Sequence, residues 1–285
     1  MNEPSNKVNS GDITDKARRF KNLHAANKAF IMANAWNAGS AVILEDAGIK
    51  AIGTTSAGIA FSHALPDYKG ELPFDTALIE TGRIVNAVNI PVSMDAENGY
   101  GHSSESVFEN MQAIALTGVV GAGIEDYTGN SDRPLYDIEL ASERIQSARQ
   151  AVTGLGYPFT LTARAECYLT GHPEPFRESV RRVNRYYEAG ADCLFVPGIM
   201  DIETIKALVD EVDGPVSVVM GLSGTPVSVA QLRQAGVTRI SIGGSLARAT
   251  FGLVRQAARE MLDKGTFEFS GQQIADNELC KLFSR

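Results

Sequence analysis

The sequence predicts a single (β/α)8 barrel of the TIM type with a C-terminal helical extension. Three observations predict it. Short apolar runs of strand length alternate with longer stretches of helical periodicity from Lys28 onward, the strand candidates number eight, and no composition shift or Gly/Ser linker divides the alternation. A chain of 285 residues, 44% hydrophobic and 21% charged, can fill one core of that size. The whole of 1–285 is read as one domain, with about 1–18 a flexible N-terminus and about 265–285 the extension.

The strand candidates are Ala29 to Asn34, Ala51 to Thr54, Val92 to Asp95, Gly121 to Glu125, Phe159 to Arg164, Cys193 to Val196, Val216 to Met220 and Arg239 to Ile242. Gly/Pro signals precede several of them, as at Ile90-Pro91, Gly156-Tyr157-Pro158 and Gly214-Pro215, where a helix stops and a strand begins. Helical periodicity fills the intervals: Ser40 to Ala47, Asp75 to Ala87, Ser104 to Thr117, Ile138 to Val152, Pro175 to Ala189, Ile202 to Val212, Val227 to Ala235 and Ser245 to Lys264. Ser103 or Ser104 caps the third, and Thr225-Pro226 is a cap followed by Pro in the first turn. A doubly wound open sheet would place a Gly-rich phosphate turn after the first strand, but Asn34-Ala35-Trp36-Asn37-Ala38-Gly39-Ser40 is not one.

Composition narrows the partners. A formal net charge of -8 argues against nucleic acid, whose backbone requires a Lys/Arg surplus. No apolar run is long enough to span a bilayer, and Met1 to Lys16 lacks the apolar core of a signal peptide. Cys167, Cys193 and Cys280 are odd in number and widely spaced, which fits neither a zinc pattern nor a disulfide framework and suggests a reducing cytoplasm.

In such a barrel the active site lies where strands end. Those junctions are polar here: Thr54, Thr55, Ser56 and Asp67 after the second strand, Asp95, Glu97 and Asn98 after the third, Glu125 and Asp126 after the fourth, Arg164 and Glu166 at the fifth. Acids crowded on one rim repel unless a cation sits among them, and all-oxygen ligation selects Mg²⁺, with Mn²⁺ as its substitute, over zinc. The ordinary alternative for any one acid is helix capping or an ion pair.

The segments Thr54-Thr55-Ser56-Ala57-Gly58, Leu65-Pro66-Asp67, Met94-Asp95-Ala96-Glu97-Asn98-Gly99-Tyr100-Gly101, Gly123-Ile124-Glu125-Asp126 and Thr162-Ala163-Arg164-Ala165-Glu166 together resemble the isocitrate lyase and phosphoenolpyruvate mutase superfamily, from about Phe20 to Ala249. The resemblance implies a Mg²⁺-dependent enzyme that makes or breaks a C–C or P–C bond beside an α-keto acid or its enolate. It implies Asp95 as direct metal ligand, with Asp67, Glu97 and Glu125 holding the metal's waters. Thr55, Ser56 and Ala57 would cradle a substrate carboxylate. Arg164 would pair with the carboxylate or enolate oxygen, for which its permanent charge and fork suit it, unless it only neutralises Glu125 or Glu166. With Arg164, Glu125 and Tyr127 are the catalytic candidates, and Ser245 is a substrate contact or a helix cap. Subunit exchange of C-terminal helices in the family implies a homodimer or homotetramer.

Departures from the pattern narrow the reaction. The loop Tyr127-Thr128-Gly129-Asn130-Ser131-Asp132-Arg133-Pro134 lacks the Cys, Lys and His that isocitrate and 2-methylisocitrate lyases carry there, and Tyr127 replaces a Lys of the phosphonate enzymes. Gly243-Gly244-Ser245 stands where an oxaloacetate decarboxylase branch has His. The resulting expectation is a Mg²⁺-dependent carbon–carbon lyase acting on a small anionic keto or hydroxy di-acid through an enolate. Its rivals are a P–C bond enzyme and a non-catalytic keto-acid binder. His63 and His102 are further rim candidates for acid/base work, Cys167 reads as a small buried residue, and Tyr127 with Asn130 reads either as part of a lid or as an ordinary surface loop.

Overall fold

The computed structural model describes residues 10–26, 28–67, 70–222 and 227–284. Eight parallel strands pair in sequence order and close, the first with the last: β1 (Phe30–Ala35), β2 (Ala51–Thr54), β3 (Val92–Asp95), β4 (Gly121–Glu125), β5 (Thr160–Arg164), β6 (Cys193–Phe195), β7 (Val216–Val219) and β8 (Arg239–Ser241). The expected strands are all present, within a residue of the read boundaries. Helices lie between them: α2 (Ala38–Asp46), α3 (Ser56–Ser62), α4 (Phe74–Ala87), α5 (Ser104–Leu116), α6 (Ile138–Val152), α7 (Pro175–Glu188), α8 (Ile202–Glu211), α9 (Val229–Gln234) and α10 (Ser245–Asp263). Local chemistry fixes their starts. Ser103 caps α5 by accepting from Ser106 N at 3.1 Å, and Ser228 with Gln231 forms a capping box on α9. Thr225-Pro226, expected as that cap, lies outside the described residues.

Two expectations are corrected. Part of the stretch read as a flexible N-terminus is α1 (Ser10–Ala25), whose apolar residues are spaced thinly enough that composition masks them. It packs on the N-terminal ends of the strands. Lys16 Nζ donates to Val88 O at 3.1 Å and Arg19 to Asn89 O at 2.8 Å, just ahead of β3, while Ala17 and Phe20 join Phe30, Met32, Ala51 and Val120 in an apolar cluster. Phe20 enters the barrel floor: a Cβ on Gly121 would lie 2.8 Å from its ring and 2.7 Å from Thr160 O. Burying a side chain of this size contributes about 2–3 kcal/mol. The second correction is α3, a short helix that follows β2 directly and was not anticipated; Thr55 caps it, its Oγ1 accepting from Gly58 N at 3.2 Å.

The extension past α10 contains a short 3-10 turn (Glu268–Gln272) and α11 (Asp276–Phe283), of which Leu282 packs back on the core. Among the described residues no helix is long and apolar enough to cross a membrane.

Candidate active site

The C-terminal strand ends surround a cavity of about 920 Å³. Of the residues the sequence proposed, Thr55, Ser56, Ala57, Asp67, Asp95, Glu97, Glu125, Tyr127 and Arg164 all line it. Alternation along the strands does this, since Ser93 and Asp95 on β3, Gly123 and Glu125 on β4, and Thr162 and Arg164 on β5 share the inward face.

Asp95 is held in place by its neighbours. Its backbone N–H donates to Thr54 Oγ1 at 2.9 Å, and its Oδ2 accepts from Ser56 N at 3.1 Å and Ser56 Oγ at 3.0 Å. Ser56 therefore uses both its donors on Asp95 and orients that carboxylate, which differs from the cradle role read for it. The turn beyond Asp95 is backbone-strained: Glu97 and Tyr100 have φ of 46° and 53°, in the left-handed region that non-glycine residues avoid. Two side chains stabilise the turn. Asn110 Nδ2 donates to Gly99 O and Tyr100 O at 3.0 and 3.1 Å, and the buried Arg144 donates to the carbonyls of Asn98, Gly101 and His102 while its guanidinium stacks 4.1 Å over the Tyr136 ring.

Charge is concentrated here. Five carboxylates (Asp67, Asp95, Glu97, Glu125, Glu166) and three guanidiniums (Arg164, Arg239, Arg248) line the cavity. Burial, then the charges of Asp95 and Asp67, push Glu97 up to about 7, with Arg164 opposing. Burial likewise drives Glu125 well above its ordinary range against the pull of Arg164. Arg164 pairs through Nη1 with Glu125 Oε2 at 3.0 Å and through Nε with Glu166, so the neutralising role is present in the structure.

Among the described residues no three acids converge tightly enough to ligate an ion by themselves. One carboxylate that reaches an ion directly, with others at the distance of a water, is the donor arrangement a hydrated hard cation such as Mg²⁺ uses, and mutual repulsion at Glu97 is the strain a cation relieves. The donor types present, carboxylates alone, suit such a hydrated ion rather than zinc.

Other assignments change. Asp126 leaves the rim: Tyr186 Oη and Arg182 Nη1 donate to its Oδ2 at 2.6 and 3.0 Å, and Glu166 N donates to its Oδ1 at 2.8 Å. It pairs with Arg182 because adjacent residues of a strand point to opposite faces. Ser245 does not line the cavity. It opens α10 after the N-cap Gly244, its hydroxyl donating to Ile242 O. His63 sits 3.8 Å from Glu80, outside the lining, whereas His102 lines it with Nδ1 2.6 Å from Tyr136 Oη. Cys167 is buried and its thiol is pushed up to about 12 by burial, as a core residue. The Tyr127 loop is closed by its own bonds, Thr128 N to Pro134 O at 2.8 Å and Thr128 Oγ1 to Arg133 O at 2.6 Å, and Gly129 and Ser131 of that loop line the cavity while Asn130 does not.

Asn34 was missed. At the end of β1, its Oδ1 accepts from Ile242 N and Gly243 N, each at 3.0 Å, and its Nδ2 donates to Thr54 O at 2.7 Å, so one side chain ties three strand ends. Its polarity at a strand end was the signal that could have found it. Arg248, on the first turn of α10, reaches the rim with no comparable signal.

Residues 20–262 match the phosphoenolpyruvate phosphomutase family. A crystal structure of a candidate lyase/mutase from Burkholderia cenocepacia superposes with a TM-score of 0.93 at 41% identity, covering 97% of this chain and 98% of that one. The 2-methylisocitrate lyase of Escherichia coli is 29% identical over 209 residues, 68% of this chain and 69% of that enzyme. The fold is shared with a phosphonopyruvate hydrolase crystallised with oxalate and Mg++, at a TM-score of 0.85 and 24% identity over 94% of this chain and 95% of that one.

Proposed function

The chain belongs to the phosphoenolpyruvate mutase family, within the superfamily that also holds 2-methylisocitrate lyase, and on that footing we propose that it is a Mg²⁺-dependent lyase that cleaves a C–C bond of a small α-keto or hydroxy di-acid. The observation that carries this reading is the joining of Asp95, Glu97, Glu125 and Arg164 around one cavity, an acid cluster suited to a hard cation facing a fixed cation suited to a carboxylate. Asp95 would hold the ion directly, Asp67, Glu97 and Glu125 through water. Bound there, Mg²⁺ would supply a Lewis acid for a 2-oxo acid's carbonyl.

The protein's own part follows from the contacts. Ser56 and Thr54 hold Asp95 at one angle, and the Asn110 and Arg144 clamps fix the turn that carries Glu97. Arg164 offers its guanidinium to the carboxylate or to the oxygen that gains charge as the bond breaks. Glu125, buried and with its proton held more tightly than usual, is the acid placed to exchange a proton with the substrate. Tyr127 and its hairpin loop wall the cavity toward solvent.

A Mg²⁺ turnover screen over keto acids, hydroxy di-acids and phosphonopyruvate tests the reading. Release of CO₂ or an aldehyde supports it, release of phosphate would transfer the site to P–C chemistry, and ligand stabilisation without turnover would make the protein a binder. Asp95→Ala should abolish Mg²⁺-dependent activity and keep the fold; wild-type rates in that variant would discard the metal assignment.

The same reading includes a homodimer or homotetramer. Its support is the apolar side chains that α10 and the extension leave exposed, Phe251, Leu253, Val254, Leu262, Phe267 and Phe283 among them, more than a lone surface tolerates in one arm. Light scattering behind gel filtration should give two or four chain masses, and a monomer would contradict it.

A further inference from the structure

Beneath the rim acids the barrel interior holds a cation that has no ion pair among the described residues. Arg239 begins β8 and is 3% exposed. Its Nε donates to Ser217 Oγ at 2.9 Å, and its Nη1 donates to Thr162 Oγ1 at 3.0 Å and to His24 Nε2 at 3.3 Å. Every partner is neutral. His24 points Nδ1–H at Phe20 O, 2.9 Å away, and is pushed down to about 3 by burial and then by Arg239, so it stays uncharged. Nη2 makes no hydrogen bond among the described residues, yet Arg239 lines the cavity. A guanidinium cannot shed its proton, and a buried charge without a counter-charge is strongly unfavourable.

The cavity extends down to it. Ser93, 4% exposed, lines the same cavity with a hydroxyl that makes no hydrogen bond among the described residues. Gly123 leaves room on its side of the shaft, since a Cβ there would meet nothing closer than 3.6 Å, whereas the space over Gly53 is taken by Asn34 and Met32. Thr162, which Arg239 touches, is two residues below Arg164 on β5, a drop of about 6.6 Å at strand spacing. That separation is within reach of the two ends of a short dicarboxylate.

We propose that the floor of the cavity is an anion site built on Arg239 Nη2 and the Ser93 hydroxyl. It takes a small anionic group, either the far carboxylate of a dicarboxylate whose near end lies at Arg164 or a free halide. The carboxylate source rests on the reading of the rim as a keto-acid site, whereas the halide source does not.

Bromide is the probe. Crystals of the full chain soaked in sodium bromide should show an anomalous peak in hydrogen-bond contact with Arg239 Nη2. Bromide added at constant ionic strength should raise the melting temperature to a plateau, and Arg239→Gln should lose that rise. Gly123→Val, which fills the shaft and leaves Arg239 in place, should lose it too. Succinate displacing the peak assigns the site to a substrate carboxylate; a peak that succinate leaves in place assigns it to a free halide. Asp95→Ala should keep the bromide peak, so failure of the metal reading and failure of the floor site are separable. Water alone at Arg239 in wild-type crystals at saturating bromide overturns the proposal, whether or not the variants fold.

Discussion

Asp126→Asn separates two accounts of an acid that the sequence placed beside Glu125. In the structure Asp126 accepts from Tyr186, Arg182 and the Glu166 backbone, and its side chain and that of Arg182 are 2% and 8% exposed. An amide in its place turns one acceptor into a donor facing a donor and removes the charge opposite Arg182. Breaking a buried pair from one side costs about 3–5 kcal/mol. Glu178 Oε1 stays 2.7 Å from Arg182 Nε, so part of the counter-charge survives and the expected loss is near the lower end, about 3 kcal/mol. Urea unfolding followed by circular dichroism should show a lower midpoint with an unchanged slope. Arg182→Met added to Asp126→Asn should restore part of the loss, because the stranded charge is then gone. A loss below about 1 kcal/mol, accompanied by a changed Mg²⁺ dependence of activity, would refute the account and return Asp126 to the rim.

Two further outcomes concern the barrel floor. His24 has a folded pKa of about 3 against an ordinary 6.5, so its contribution to stability is fully present above pH 6.5 and is lost as pH falls toward 3, at about 1.4 kcal/mol per pH unit in that window; the melting temperature of His24→Gln should fall less steeply than wild type between pH 6.5 and 4.5, and parallel curves would count against a neutral buried His24. Gly121→Ala should lower stability by about 1–3 kcal/mol through collision with Phe20 and Thr160 O, read by the same urea midpoint, and a neutral result would mean that α1 does not seat Phe20 there.

The parts of this protein legible in sequence are those with a period or a punctuation mark. β2, β3 and β4 were bounded to the residue because apolar runs of four or five residues end in charged or polar ones. The rim acids followed, since a strand end in this fold has one functional face. What stayed hidden depends on direction. Asp126 and Glu125 are neighbours in sequence yet face opposite sides of the sheet, and a list of acids does not carry that alternation unless the register is known. Arg144 and Asn110 lie inside ordinary helical periodicity; only tertiary packing brings them to the strained turn at Glu97. α1 escaped because its buried apolar residues, Ala17 and Phe20, are few among charges. The bond from Ser56 to Asp95 was not legible either, because a serine hydroxyl near a carboxylate can serve either the ligand or the acid.

Phe20 and the helix that carries it have a kinetic consequence. With the N-terminal end of the barrel plugged, entry and exit share the mouth at the C-terminal face. On the reaction proposed above, two fragments would leave through that one door. The fragment nearer the mouth leaves first, and the one lodged deeper waits behind it. Product inhibition patterns should then be asymmetric, with the late-leaving fragment competing against fresh substrate and the early one not. The order of release would be written by α1, a segment that touches neither fragment.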